Sequence, residues 1–152
     1  MREILFKAKR IDNGEWVEGY LFRKYYQELP HDRLVIQYKT MGNEYEWTPK
    51  YMSAEIDENT LCQFTGLTDK NGNKIWENDV VIYDNSSYSV YCTPHTGKIA
   101  WRNGCLCFKH WLYGSISYKS FLSDDFFGSK CEVIGNTIEN PELLDNKTEC
   151  ER

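Results

Sequence analysis

The sequence predicts a mainly β protein: N-terminal β-hairpins packed with a small C-terminal β-barrel, plus one or two short helical turns. Short runs of β-branched and aromatic residues recur along the chain, each bounded by polar or glycine-containing turns. Turn chemistry falls at Asp12-Asn13-Gly14, Asp69-Lys70-Asn71-Gly72 and Asn103-Gly104, where Asp bonds nearby backbone and Asn and Gly tolerate positive φ. Aromatic residues make up 15% of the 152 residues, a share that suits strands and large contact surfaces better than helical bundles. The length is enough to bury a core and fits one domain, or two small halves sharing a core. The expected division is an N-terminal hairpin region over 1–62, a barrel region over 63–144 with loop insertions at 84–96 and 113–130, and a flexible polar tail over 145–152.

Taken in order, Ile4, Phe6 and Ala8 alternate with Glu3, Lys7 and Lys9, the period-2 pattern of a half-buried strand. Trp16 to Phe22 is the return strand of a hairpin, and Gly19 within it marks either a bulge or a close approach of backbones. Arg23 to Asp32 reads as a loop with a Pro30-His31-Asp32 breaker. Leu34 to Tyr38 is a strand, Met41-Gly42-Asn43 a turn, and Tyr45 to Thr48 a short strand cut by Pro49. Tyr51 to Ile56 alternates poorly. Asp57-Glu58-Asn59-Thr60 suits one helical turn, because Asp accepts from free N–H groups at a helix start.

The stretch from Gln63 to Val81 carries the most specific information. Thr65-Gly66-Leu67 ends one segment and Asp69-Lys70-Asn71-Gly72 reverses the chain. Ile75 and Trp76 are apolar, Glu77-Asn78-Asp79 is a second turn, and Val80 to Tyr83 is a β-branched strand; two turns and a buried strand fit a small barrel. Beyond a polar excursion over Asp84 to Thr96, Lys98 to Arg102 and Cys105 to Leu112 flank Asn103-Gly104, the preferred pair for a two-residue type I′ turn. Leu106, Phe108, His110 and Leu112 share one face of the second strand, and Cys105, Cys107, Lys109 and Trp111 the other. Tyr113 to Lys130 fits either a short amphipathic helix or a folded loop over the barrel mouth. Cys131 to Ile138 is the closing strand, and Pro141 to Leu144 ends the ordered chain.

The Thr65-Gly66-Leu67-Thr68-Asp69-Lys70-Asn71-Gly72 run, the Ile75 to Val81 segment, Glu132-Val133-Ile134-Gly135-Asn136 and Asn140-Pro141-Glu142-Leu143-Leu144 together resemble the YopX family of phage and prophage proteins. The resemblance runs from Arg2 to Leu144 and is weakest over Arg23 to Tyr51 and Tyr113 to Lys130. Asn78 stands where that family usually has Gly, and Asn still visits the left-handed region. The resemblance implies an all-β fold with SH3-like barrel character and a phage or prophage setting. It implies no activity and no functional residues.

Composition narrows the function. The net charge is −5, and residues 1–40 hold eight Lys or Arg against six Asp or Glu. The whole chain lacks the basic excess that phosphate-backbone binding needs, while its first third is mildly basic. Met1-Arg2-Glu3-Ile4 does not read as a secretory leader, so secretion is not expected, and no apolar run reaches the roughly 18 residues that cross a bilayer. A cytosolic protein with reduced thiols is expected.

A zinc site could draw on Cys92 and His95 with Cys105, Cys107 and His110, but no C-x₂-C pair is present and strand alternation sets His110 opposite both thiols. Structural thiols and no cofactor are expected. Glu77 with Asp79, and Asp124 with Asp125, are adjacent acids in polar turns, and Asp79 is more simply a turn residue bonding backbone N–H groups. No nucleophile-elbow or phosphate-cradling motif occurs, so a conventional enzyme is not expected.

Five Trp and eleven Tyr exceed what one small core comfortably buries, which fits a partner surface or a homo-oligomer contact and fits equally well large residues filling the barrel ends with one edge wet. The residues singled out for binding are Trp76, Asp79, Trp101, Arg102 and Trp111. The leading expectation is a non-catalytic accessory protein that binds a host or phage protein. The alternatives are an oligomer that sequesters a small nucleotide signal and, more weakly, a single-stranded nucleic-acid binder in which Trp101 stacks on a base and Arg102 meets phosphate.

Overall fold

The computed structural model describes residues 3–25, 32–40, 50–84, 95–112, 115–120 and 130–144. These form eleven strands and two 3₁₀ turns, arranged in two antiparallel sheets that do not close on themselves. The chain divides into two compact units, Met1–Phe64 and Thr65–Arg152, and strand β5 (Cys62–Thr68) runs through the division.

The first unit begins with the expected hairpin. β1 (Phe6–Lys9) pairs antiparallel with β2 (Trp16–Lys24), Ala8 opposite Val17 and Lys9 opposite Trp16. The turn is held by Arg10 N–H donating to Glu15 O and Gly14 N–H to Arg10 O, with Gly14 at φ +71°. β3 (Arg33–Thr40) lies on the other side of β2, and β4 (Lys50–Glu55) lies outside β3. Gly19 is a close approach of backbones: a Cβ there would collide with Gln37 O of the neighbouring strand. One face of this sheet is core, with Ala8, Val17, Ile36, Ala54 and Ile56 buried against Phe6, Leu21, Leu34, Tyr38 and Leu61. The predicted cap is present. Asp57 Oδ1 accepts from Asn59 N–H at 3.0 Å at the start of the 3₁₀ turn Glu58–Thr60, and Thr60 Oγ1 accepts from Lys9 N–H at 2.8 Å.

Strand β4 departs from expectation. The strand predicted at Tyr45 to Thr48 and the turn at Met41 to Asn43 lie outside the described residues. The strand observed is Lys50–Glu55, where only Ala54 is buried. It is the outer strand of its sheet, so its sequence shows little alternation.

In the second unit, β6 (Lys74–Trp76) and β7 (Asp79–Tyr83) follow β5, then β8 (His95–Arg102), β9 (Cys105–Leu112), β10 (Ser115–Ser120) and β11 (Cys131–Asn136). The strand order of the five-stranded sheet is β10-β9-β8-β7-β11. The β8–β9 hairpin forms as the sequence predicts, with Asn103 at φ +50° and Gly104 at φ +76°, both left-handed as a type I′ turn requires. Ile75, Val81, Tyr83, Ile99, Phe108 and Cys131 make the core, with Leu67, Leu106 and Val133 against it. Within 113–130, Ser115–Ser120 is neither helix nor loop but a strand paired to β9, Tyr118 opposite Lys109. It too is an outer strand. The rest of that insertion, and most of the 84–96 excursion, lie outside the described residues.

Asn78 occupies the left-handed region at φ +66° and is bonded on three sides. Its N–H donates to Ile99 O and its carbonyl accepts from Thr137 N–H, both at 2.9 Å, while its Oδ1 accepts from Lys98 Nζ at 3.2 Å. Asn78→Ala removes the side-chain bond and places a less tolerant residue at positive φ, so a loss of about 1 kcal/mol in unfolding free energy is expected by urea denaturation. Asn78→Gly is expected to lose less, because glycine adopts this φ without strain.

Candidate binding surface

The Gln63 to Val81 stretch is an internal lock. Asp69 is 5% exposed. Its Oδ1 accepts from the N–H groups of Asn71 and Asn73, both at 2.9 Å, and its Oδ2 from Asn73 Nδ2 at 3.2 Å and from Val133 N–H at 3.1 Å. Lys70 N–H donates to Cys131 O at 3.0 Å, and Lys70 Nζ pairs with Glu132 at 2.6 Å. The turn is thus seamed to β11. Burial disfavours the Asp69 carboxylate, but the N–H groups of Val133, Asn73 and Asn71 outweigh it and hold its pKa below the ordinary value.

Two of the predicted binding residues belong to this interior. Trp76 is 5% and Asp79 2% exposed, and Asp79 Oδ2 accepts from Trp76 N–H at 2.7 Å. A carboxylate bonded to backbone in this way fixes the turn before β7, the simpler of the two roles considered for it. The acids at 124–125 lie outside the described residues.

The other three sit on the β8–β9–β10 strands. Trp101, opposite Leu106, is 45% exposed. Arg102 is exposed, and its guanidinium lies 3.8 Å from the Tyr118 ring centroid. Trp101 and Arg102 are consecutive on a strand and point to opposite faces, so the structure does not bring them to one base-and-phosphate reader. Trp111 pairs with Ile116 in the ladder. What converges instead is Arg102 with Tyr118, a contact that the sequence conceals because Tyr118 belongs to an unanticipated strand.

Among the described residues, no group of three or more His, Cys, Asp and Glu is placed to hold a metal. Cys92 lies outside the described residues, and His110 opposes Gly97 while Cys107 opposes Ala100 on the other face. His95 and His110 rings are 5.3 Å apart, and His110 stacks on Phe108 at 4.9 Å with 14° between planes. Burial, helped by the nearby Asp69 charge, pushes the Cys131 thiol up to about 12, which keeps it a neutral packing group.

The first unit carries a surface that the sequence did not single out. Strand alternation places Trp16, Glu18, Tyr20, Phe22 and Lys24 on the face of β2 away from the core. Tyr20 is 53% and Phe22 38% exposed. Lys7 and Lys9 of β1 bring their Nζ atoms to 5.3 and 5.6 Å from the Trp16 ring centroid. Lys24 lies directly opposite Arg33, and Lys39 opposite exposed Tyr51. The same unit has an open cleft of about 650 Å³ lined by Lys9, Arg10, Arg33, Asp57 and Glu58. There Arg10 is forked onto Asp12 and the remaining cations face two acids, so the cleft has no clear preference for an anion.

These features define a two-unit, all-β protein whose most specific sequence is structural and whose exposed aromatics are its candidate contacts. The family model described as YopX protein matches residues 5–145, so the chain belongs to the YopX family. No curated protein matches it. Among solved structures it is similar to protein EF1440 from Enterococcus faecalis, with 21% identity and a TM-score of 0.49 over 95% of this chain and 99% of that one. No helix among the described residues is long and apolar enough to cross a membrane.

Proposed function

We propose that this YopX-family protein is a non-catalytic accessory protein of phage or prophage origin that works by binding a protein partner in the cytoplasm of its bacterial host. The observation that carries the reading is the end of the β8–β9 hairpin, where Trp101 is 45% exposed on one face and Arg102 stacks 3.8 Å over Tyr118 on the other. Trp, Tyr and Arg dominate the energetics of protein interfaces. The stack holds a long, rotamer-rich side chain in place before a partner arrives, which lowers the ordering cost of binding. A partner that envelops the Asn103-Gly104 end meets both faces. The reading includes an SH3-like character for the second unit, supported by its β7-β8-β9-β10 meander with β11 returned beside β7.

The test is cross-linked capture from phage-infected cells with the wild-type chain, Trp101→Ala and Arg102→Ala, read by quantitative mass spectrometry. A partner recovered by the wild type and depleted at least tenfold in both variants is expected, since a hot-spot truncation costs roughly 2 kcal/mol or more. Both side chains are exposed, so melting temperatures should stay close to wild type. Identical recoveries with all three proteins would sink the reading. Recovery of the chain itself alone would turn it toward a homo-oligomer.

A further inference from the structure

We propose that the outer edge of β10 is where the partner enters, as an extended acidic segment that adds a sixth strand to the second unit's sheet. The proposal rests on the reading of the β8–β9 hairpin as a protein-binding end, and names the chemistry of what binds there.

Backbone register defines the edge. Ser115 pairs with Leu112 across a two-residue loop, and so short a loop permits only the pairing in which these two residues exchange both hydrogen bonds. Pairs alternate from there. Ser117 turns its N–H and C=O toward β9, while Ile116 and Tyr118 turn theirs away from the sheet. β10 ends the strand order β10-β9-β8-β7-β11, and no described residue bonds the outward groups of Ile116 and Tyr118. The opposite edge is occupied, for Lys70 N–H donates to Cys131 O and Asp69 Oδ2 accepts from Val133 N–H along β11. An extended peptide laid antiparallel on β10 exchanges both hydrogen bonds with each of Ile116 and Tyr118, which is how edge-strand recognition gains affinity. Ile116, 48% exposed, adds an apolar contact.

Charge selects the peptide. None of the chain's 23 Asp and Glu falls between Asp84 and Asp124, whereas Lys98, Arg102, Lys109 and Lys119 do. β8, β9 and β10 therefore carry no acid, in a chain of net charge −5. Acids on the neighbouring strands are committed or distant. Asp79 of β7 accepts from Trp76 N–H and Glu132 of β11 pairs with Lys70, and β8 and β9 separate Asp84, which follows β7, from β10. Asp124 and Asp125 lie outside the described residues. Lys98 Nζ donates to Asn78 Oδ1, so the cations that matter are Lys109, directly opposite Tyr118, and Arg102. Arg102 starts on β8, yet its guanidinium lies 3.8 Å from the Tyr118 ring centroid, carried across β9 toward the open edge. Among the described residues neither Arg102 nor Lys109 has an ion pair. Alternate residues of an added strand stand beside Ile116 and Tyr118 on this face, and a Glu or Asp among them meets the guanidinium, whose fork suits a carboxylate.

The backbone separates this occupant from single-stranded nucleic acid, the other polyanion that such charge attracts. A sugar–phosphate chain has no row of N–H donors to meet the outward carbonyls of Ile116 and Tyr118; a peptide strand has one at the required spacing. The first unit's outer strand β4 is a weaker candidate, because Ile11 N–H already donates to Glu55 O and the strand carries both Lys50 and Glu55.

Selection of a random twelve-residue peptide library on the immobilised full chain tests the proposal, followed by fluorescence anisotropy of the enriched peptides and of a labelled oligothymidine. Enriched peptides should carry Asp or Glu at alternate positions. Ile116→Pro removes an outward N–H and no ladder bond, a change that edge strands accept, and should weaken these peptides about tenfold or more at an unchanged melting temperature. Ile116→Thr keeps the N–H and should weaken them no more than about threefold. Arg102→Glu with Lys109→Glu should abolish the preference for acids. N-methylation of alternate peptide residues makes the same cut from the ligand's side, whatever Ile116→Pro does to folding: one set should abolish binding and the other spare it. No enrichment, enrichment of peptides without acids, binding indifferent to the methylated set, or oligothymidine held more tightly than every peptide would overturn the proposal. In the capture experiment, a partner depleted by Trp101→Ala and Arg102→Ala but retained by a folded Ile116→Pro would leave the protein-binding reading standing and end this one.

Discussion

Replacing Asp69 by Ala is expected to lower the unfolding free energy by about 3 to 4 kcal/mol, measured by urea denaturation at neutral pH. The carboxylate is 5% exposed and accepts four hydrogen bonds, three from backbone N–H groups. Truncation leaves the N–H groups of Asn71, Asn73 and Val133 without this acceptor. Each buried donor abandoned in this way costs about 1 to 3 kcal/mol, and bonds to a charged acceptor lie at the upper end of hydrogen-bond energies. The full sum is not reached, because part of the turn can open to water. Asp69→Asn keeps the shape but replaces one accepting oxygen with a donor that opposes an N–H, so it should lose a large part of the same stability.

The Asp69 interaction also has a pH signature. Burial raises its pKa, but the bonds from Val133, Asn73 and Asn71 lower it more, and the net folded value lies below the ordinary 3.8. A carboxyl depressed in the folded state stabilises the protein fully above its unfolded pKa, and this stability is lost as pH falls through the folded pKa. Stability should therefore be insensitive to Asp69 from neutral pH down to about 5 and should drop below about pH 4. Asp69→Asn should flatten that acid limb. An unchanged limb in the variant would show that other carboxyls govern acid unfolding.

The legible parts of this fold are those whose chemistry is local. Asn103-Gly104 announced its hairpin because the turn needs two left-handed residues, and Asp57 announced a cap because its oxygen bonds two residues on. Asp69 bonding Asn71 belongs to the same class, while its bond to Val133, 64 residues away, could not be read from spacing. β4 and β10 escaped for a different reason: as outer strands with little or partial burial they carry no full alternation. Trp16, Tyr20 and Phe22 were visible as strand residues. Val17 and Leu21 between them are apolar too, so the run did not reveal which set faced outward. The two turns and buried strand that suggested a closed barrel are present, but strand pairing leaves both sheets open.

Gly97→Ala is the second substitution expected to cost about 3 kcal/mol, although it adds a single methyl group. Gly97 lies on β8, paired with Val81 on one side and His110 on the other, and its φ is not in the left-handed region, so backbone freedom is not the reason for glycine. Space is. A Cβ there would collide with Lys109 O and sit 2.7 Å from Phe108 Cε2 and 2.9 Å from His110 Cβ. The Phe108 ring thus fills the room that a side chain at 97 would take, as an aromatic covering a glycine on a neighbouring strand does. That ring has little freedom to retreat. It is 1% exposed, stacks on His110 at 4.9 Å and meets Tyr83 at 6.0 Å between centroids. Overpacking of this kind costs about 1 to 3 kcal/mol, and contact with a backbone carbonyl in a central strand places the change at the upper end. Gly72 is the contrast: a Cβ there meets nothing within 4 Å, and only its φ of +84° is strained, so Gly72→Ala should cost about 1 kcal/mol. Phe108→Leu added to Gly97→Ala should recover part of the loss by removing the ring edge, leaving the carbonyl contact. Denaturation curves for the two single variants and the pair measure this coupling directly. Strict additivity would mean that the ring and the glycine do not share the space that the core geometry assigns to them.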